Sequence, residues 1–338
     1  MTEGNLPVGK TLREIYDVLL LDLDGTVYRG AQPVPGAREA LTGGDDTVLY
    51  VTNNASRRPA DVALHLRELG FPAEDASVVT SSQSAARLLA EQLPAGTPVL
   101  VVGTEALAEE IAAVGLEPVR TADAGPAAVV QGHSPDTGWA MLAEATLAVR
   151  SGALWVATNI DSTLPTERGL VLGNGSMVAA VRNATGATPL VAGKPAAPLL
   201  EDAIRRGAAR RPLVIGDRLD TDIEGADAVG ADSLLVLTGV STVADLLRAP
   251  ARQRPTYVAG SLTSLDEPAE RLRPAADPAW TVTVDGGDLH LAATGDSDDP
   301  MQALRAVLDL AWAEPAFGQV VADDARARAV LAAWGVPA

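Results

Sequence analysis

Two carboxylates one residue apart close an apolar run in Val18-Leu19-Leu20-Leu21-Asp22-Leu23-Asp24-Gly25-Thr26. A continuous apolar run of this length reads as a strand buried on both faces, as in a parallel sheet. Side chains two apart on an extended chain point the same way, so Asp22 and Asp24 would share one side of the strand's end. Like charges held that close repel, and they require a cation or a shared proton between them. The spacing is not that of an EF-hand. Counted from Asp22, Gly25 is at the fourth position instead of the sixth, and Pro33 stands where the bidentate Glu belongs. Paired acids in a polar turn are ordinarily just solvated, but these follow a buried strand directly, where α/β sheets place their ligands.

Further strand ends carry chemistry of the same kind. Val48-Leu49-Tyr50-Val51 ends in Thr52-Asn53-Asn54, a hydroxyl and backbone N–H groups suited to phosphoryl oxygens. Lys194 lies between Gly193 and Pro195, before a helix expected from Pro198 to Arg206, and is placed to reach a bound anion. A P-loop is excluded, because Gly186 is too far from Gly193 and Pro195 replaces the Ser/Thr that binds magnesium. Leu213-Val214-Ile215 runs into Gly216-Asp217-Arg218-Leu219-Asp220-Thr221-Asp222, which is expected to open a helix capped by Thr221 or Asp220. Gly173 and Gly175 lack a third Gly and a preceding strand, so they make a poor dinucleotide fingerprint.

In this order, D-x-D-G-T, a strand ending in Thr, a Lys and G-D-x-x-x-T-D resemble the haloacid dehalogenase-like superfamily, over roughly residues 15–265. Thr52-Asn53-Asn54 and Thr158-Asn159-Ile160-Asp161, with the later Pro165 and Gly169, look like its NagD/4-nitrophenylphosphatase-like, C2-capped branch. The resemblance implies a Mg²⁺-dependent phosphatase. Asp22 would attack phosphorus and form an aspartyl-phosphate. Asp24 would protonate the leaving oxygen and then activate water, its carboxyl pointing away from the ion. Mg²⁺ would be held by Asp22, the backbone carbonyl of Asp24 and Asp217, and Asp222 would orient its waters or Lys194. Thr52, the Asn53 N–H and Lys194 would hold the phosphoryl oxygens. A dehalogenase is disfavoured, since those enzymes do not need this metal-coordinating acid pair.

The elements that must position these residues set the architecture. The expected fold is a Rossmann-like doubly wound parallel sheet core (α/β), with an inserted α/β cap domain and a small α+β C-terminal appendage. Between Thr52 and Lys194 lie about 140 residues, far more than a crossover requires, so the cap must be inserted there. The expected limits are residues 1–80 and 188–270 for the core, 81–187 for the cap and 275–338 for the appendage. The cap pattern places strands at Val99–Val102, Ala128–Val130 and Leu154–Ala157, a helix with Leu107, Ile111 and Val114 on one face, and a polar loop over residues 158–169. Its candidate readers of the leaving group are His133, Asn159 and Asp161, with Thr163 in the same loop. His65, beside Val62 and Leu69 in a helix from Pro59, reads as a packing or boundary residue.

Past residue 275 a hairpin is expected over Trp280–Val284 and Leu289–Ala293, then helices from Pro300 to Glu314 and from Asp324 to Trp334. This segment looks like a truncated acetyltransferase-like fold without the R/Q-x-x-G-x-G/A loop that cradles a pyrophosphate. Its expected role is structural or oligomeric. The runs at Gly103–Ala108, Pro165–Gly169 and Gly216–Asp222 resemble actinobacterial glycerol-phosphate-cleaving members of the branch, which implies glycerol 3-phosphate as substrate and a place in glycerophospholipid metabolism. Phosphoglycolate, a nucleoside monophosphate or pyridoxal phosphate are the alternatives, and a non-catalytic ligand-binding protein is the rival of another class.

Composition bounds the rest. The 338 residues exceed one ordinary core, and 47% hydrophobic residues with only 3% aromatic mean cores built from Ala, Val and Leu. A net charge of −18 argues against nucleic-acid and anionic-membrane partners, and it demands a locally positive site for any phosphorylated metabolite. Cysteine is absent, which excludes disulfides and thiolate metal sites and suits a reducing cytoplasm. No apolar run reaches membrane-spanning length, and Met1–Lys10 lacks the pattern of a secretion signal.

Overall fold

The computed structural model describes residues 9–44, 46–166 and 168–335. Most of the N-terminal segment read for a secretion signal, and Glu167 within the Pro165–Gly169 run, lie outside the described residues. The chain divides into two compact units, one of Met1–Arg29, Pro33–Thr47 and Arg210–Ala338, the other of Gly30–Gln32 and Val48–Ala209.

In the first unit Val18–Leu21, buried at every position, pairs in parallel with Pro212–Gly216, then Asp232–Val236, then Tyr257–Ala259. All four leave the sheet in the same direction, which carries Asp22 and Asp217 to one end. The tail forms a three-stranded sheet of Trp280–Asp285, Asp288–Ala293 and Val320–Ala322, with the helices Pro300–Ala313 and Ala325–Trp334. The hairpin and both helices match the sequence expectation, and the second helix is capped by Asp324 and stopped by a left-handed Gly335. Among the described residues this tail shares its core with the parallel sheet. Trp280, Leu304, Leu308 and Leu331 belong to one buried cluster with Leu235, Leu246 and Val258.

The second unit holds Thr47–Thr52 (from Val48 on) in parallel with Val78–Thr80, and a five-stranded sheet. That sheet runs Leu190–Val191, Leu154–Ala157, Ala128–Gln131, Pro98–Val102, Glu117–Val119, all parallel. Alternation sends Val99, Val101 and Val130 into one core and Leu100, Val102 and Val129 into another on the opposite face, as a doubly wound sheet requires.

Three expectations need correction. Residues 158–169 are not simply a polar loop, because Thr163–Thr166 and Gly169–Leu172 form an antiparallel hairpin. Leu107 and Ile111 are fully buried, but Val114 is 36% exposed: the helix ends at Ala113, so Val114 leaves the buried stripe. Neither Asp220 nor Thr221 caps a helix. Leu219–Ile223 is a π-helical turn, and Asp220 is taken by the Arg218 guanidinium at 3.0 and 2.8 Å. Among the described residues no helix is long and apolar enough to cross a membrane.

Candidate active site

In the first unit the Asp22 N–H donates to the Ile215 carbonyl at 2.8 Å, so the ladder continues to the residue where both strands give way to acids. Ligand-capable oxygens of Asp22, Asp217 and Asp222 lie within 4.8 Å of one another. Asp217 is fully buried and Asp222 1% exposed. Two main-chain donors and one hydroxyl hold these two acids there. The Val240 N–H donates to Asp217 Oδ2 at 2.6 Å, Thr26 Oγ1 donates to Oδ1 at 3.4 Å, and the Arg218 N–H donates to Asp222 Oδ2 at 3.1 Å. Gly25 is required beside this group. Its φ is +92°, and a Cβ there would stand 2.6 Å from Asp217 Oδ2.

Asp24 is exposed, and among the described residues this group of three forms without its carboxylate. The donors are carboxylate oxygens throughout, a set that fits a hard divalent cation such as Mg²⁺ and not a soft metal.

In the second unit the strand Thr47–Thr52 delivers Thr52, 3% exposed, whose Oγ1 accepts the Asn54 N–H at 3.0 Å and so keeps its own proton for donation. Asn53 is the hub. Its Oδ1 accepts the Lys194 N–H at 2.8 Å and its Nδ2 donates to the Lys194 carbonyl at 2.9 Å. Its own carbonyl accepts Ser81 Oγ at 2.6 Å and Asn159 Nδ2 at 2.8 Å. A Cβ at Gly193 would lie 2.5 Å from Asn53 Oδ1, which is why Gly precedes the lysine. Lys194 is 2% exposed, and its Nζ donates to the Val51 carbonyl at 3.1 Å.

The cap candidates separate. Asn159 is 4% exposed, with its amide engaged by the Asn53 carbonyl and the Asp161 N–H, so it braces the loop. Asp161 faces Asn53 Nδ2 at 3.3 Å. His133 is half-buried; its Nδ1 is sealed from solvent with no hydrogen-bond partner among the described residues, and burial holds its pKa below the usual imidazole value. His65 lies inside the helix Pro59–Glu68, half-buried, with Nε2 3.1 Å from the Gly30 carbonyl, a packing position. Sequence reasoning missed Thr26, Ser81 and the Val240 N–H. The threonine of D-G-T was a usable signal; a main-chain donor leaves none.

Residues 19–117 match the family model for haloacid dehalogenase-like hydrolases, and residues 191–265 match a second, HAD-hydrolase-like model. The chain is 52% identical over 339 aligned positions to the D-glycerol 3-phosphate phosphatase of Mycobacterium tuberculosis, covering 97% of this chain and 96% of that protein. It is a haloacid dehalogenase-like hydrolase. Among solved structures of this haloacid dehalogenase-like family, the magnesium complex of a glycerol phosphate phosphatase from M. tuberculosis superimposes with a TM-score of 0.94 at 54% identity, covering 97% of this chain and 100% of that one. The 4-nitrophenylphosphatase of Thermotoga maritima gives a TM-score of 0.70 at 29% identity over 78% of this chain and 100% of its own. The hydrolase thus lies with the NagD/4-nitrophenylphosphatase-like branch. Its residues 277–336 match a model for a GCN5-related N-acetyltransferase-like domain.

Proposed function

We propose that this chain is a Mg²⁺-dependent phosphomonoester hydrolase that releases glycerol and phosphate from glycerol 3-phosphate. The observation that carries the reading is the 52% identity, along 97% of the chain, to a D-glycerol 3-phosphate phosphatase. The grouping of Asp22, Asp217 and Asp222 supports the chemistry.

Asp22 attacks phosphorus in line. The new bond joins its carboxylate oxygen to phosphorus, the bond to the glycerol oxygen breaks, and Asp24 supplies the proton that glycerol takes away. Asp24 then removes a proton from water as that water displaces Asp22 from phosphorus, which frees phosphate and restores the carboxylate. Asp22, the Asp24 carbonyl and Asp217 would hold Mg²⁺, which when bound would supply charge to offset that of the phosphoryl group. Asp222 would orient its waters or Lys194. Thr52, the Asn53 N–H and the Lys194 ammonium bind phosphoryl oxygens. These are the local positive groups that a −18 chain needs for a phosphate ester. His133 and Asp161 read the leaving group, and Asn159 acts through Asn53.

The same reading assigns residues 1–80 and 188–270 to the phosphatase core, 81–187 to a C2-type cap, and 275–338 to a non-catalytic appendage with a structural or assembly role. It places the enzyme in the cytoplasm, in glycerophospholipid metabolism. The test is phosphate release, with and without Mg²⁺, from both enantiomers of glycerol 3-phosphate beside phosphoglycolate, AMP and pyridoxal phosphate. The highest kcat/KM is expected for glycerol 3-phosphate. A better ester in that panel would replace the substrate, and no Mg²⁺-dependent release from any of them would end the hydrolase proposal.

A further inference from the structure

Within the first unit a cavity of about 510 Å³ opens between the turn Ala269–Leu272 and the start of the helix Pro300–Ala313. Three guanidinium groups line it: Arg271, Arg273 and Arg305. Arg305 is 7% exposed. Its Nη1 donates to the Val258 carbonyl at 3.0 Å, while Nη2 stands 3.8 Å from Asp299 Oδ2, beyond hydrogen-bond length. Among the described residues neither Arg271 nor Arg273 enters an ion pair, and Arg273 lies 5.2 Å over the Tyr257 ring.

Four acids, Glu267, Glu270, Asp277 and Asp299, line the same cavity and keep their charge, but each already accepts a hydrogen bond from the protein. Glu270 accepts the Gly9 N–H, Glu267 accepts Ser264 Oγ, and Asp299 caps the helix at Met301. Asp277 accepts both the Ala279 N–H and Gln302 Nε2. The arginines therefore hold the donor capacity left over. Arg305 is buried with Asp299 beyond hydrogen-bond length, Arg271 and Arg273 are exposed at the rim, and planar guanidinium forks match the paired oxygens of a carboxylate or phosphate.

We propose that this cavity, formed where the segment ending near Leu272 meets the helix Pro300–Ala313, binds a small oxyanion on Arg271, Arg273 and Arg305. The ligand carries a phosphate or carboxylate group, and the site is separate from the carboxylate cluster that serves catalysis. No turnover is needed to detect it, so the proposal stands or falls independently of the phosphatase reading.

The test is calorimetric titration of metal-free, full-length protein with inorganic phosphate and, separately, with malonate. At least one probe is expected to bind a site that Arg271→Gln/Arg273→Gln weakens tenfold or more and that Lys194→Ala leaves intact. Phosphate alone behaving so assigns a phosphate group, and malonate alone assigns a carboxylate. The site does not exist if neither probe binds, or if all binding disappears in Lys194→Ala and persists in the double variant. Unchanged melting temperature and basal kcat certify the double variant as folded; should it melt early, Arg271→Gln alone, at an exposed position, carries the same comparison.

Discussion

The side-chain amide of Asn53 grips the main chain of Lys194 on both sides, accepting its N–H at 2.8 Å and donating to its carbonyl at 2.9 Å. The residue read from sequence as a phosphate ligand through its backbone is also the clamp that holds the lysine. Asn53→Ala is expected to lower kcat more than tenfold and to destabilise the protein by about 1–3 kcal/mol, since it strands partly buried main-chain groups. Steady-state phosphate release and thermal melting check both effects. Asn53→Ala with full activity would show that Lys194 is held by other means.

Asp22→Asn should reduce phosphate release by at least about a thousandfold, the scale of removing a nucleophile. Stability should not fall, because one of three crowded carboxylates is neutralised. Turnover near that of the parent enzyme would defeat the aspartyl-phosphate step.

Chelation by EDTA should stop phosphate release, and added Mg²⁺ should restore it. A cation bound only by the folded chain also stabilises it, by about 2.7 kcal/mol at a hundredfold excess over Kd. Melting curves with and without Mg²⁺ should therefore differ in the parent protein and coincide in Asp217→Ala. Equal Mg²⁺ shifts in both would remove Asp217 from the metal site.

Leu304 is fully buried in the cluster that contains Leu235, Leu246 and Val258. Leu304→Ala is expected to cost about 2–5 kcal/mol while leaving kcat per folded molecule unchanged. Deleting all residues after 270 should yield protein that melts early or aggregates, because the same cluster would be opened to water. A soluble, stable, fully active truncation would contradict the shared core.

Two histidines should titrate in opposite directions. His133, desolvated by burial, has its folded pKa depressed below the unfolded value, so its contribution is present above the unfolded pKa and lost as pH falls through the folded one. His290 donates its ring N–H toward Asp323 at 2.8 Å, a hydrogen bond that raises its pKa. That contribution is present below the unfolded pKa and disappears as pH rises through the folded one. Imidazole NMR titration should place His133 below and His290 above the free value near 6.5. The reverse order would refute both local descriptions.

The sequence alone determined the parallel-sheet framework and the strand ends that carry Asp22, Thr52 and Asp217, because a strand buried on both faces leaves an unbroken apolar run that stops where its polar end begins. The tail hairpin was legible for a related reason, its alternation broken by Asp285-Gly286-Gly287-Asp288. The hairpin of Thr163–Thr166 and Gly169–Leu172 was not, since its second strand is exposed at every position and burial imposes no pattern on it.

Tertiary structure decided what depends on separation along the chain. Asn53 meets Lys194 across 141 positions, and the Val240 N–H meets Asp217 across 23. Such partnerships rest on where two main chains come to lie, and a main-chain donor is the same chemical group at every residue but proline, so no spacing in the sequence marks it. The shared core of tail and sheet is of this kind as well: Leu304 shows an apolar stripe in the sequence, while the surface that covers it is chosen only by the fold.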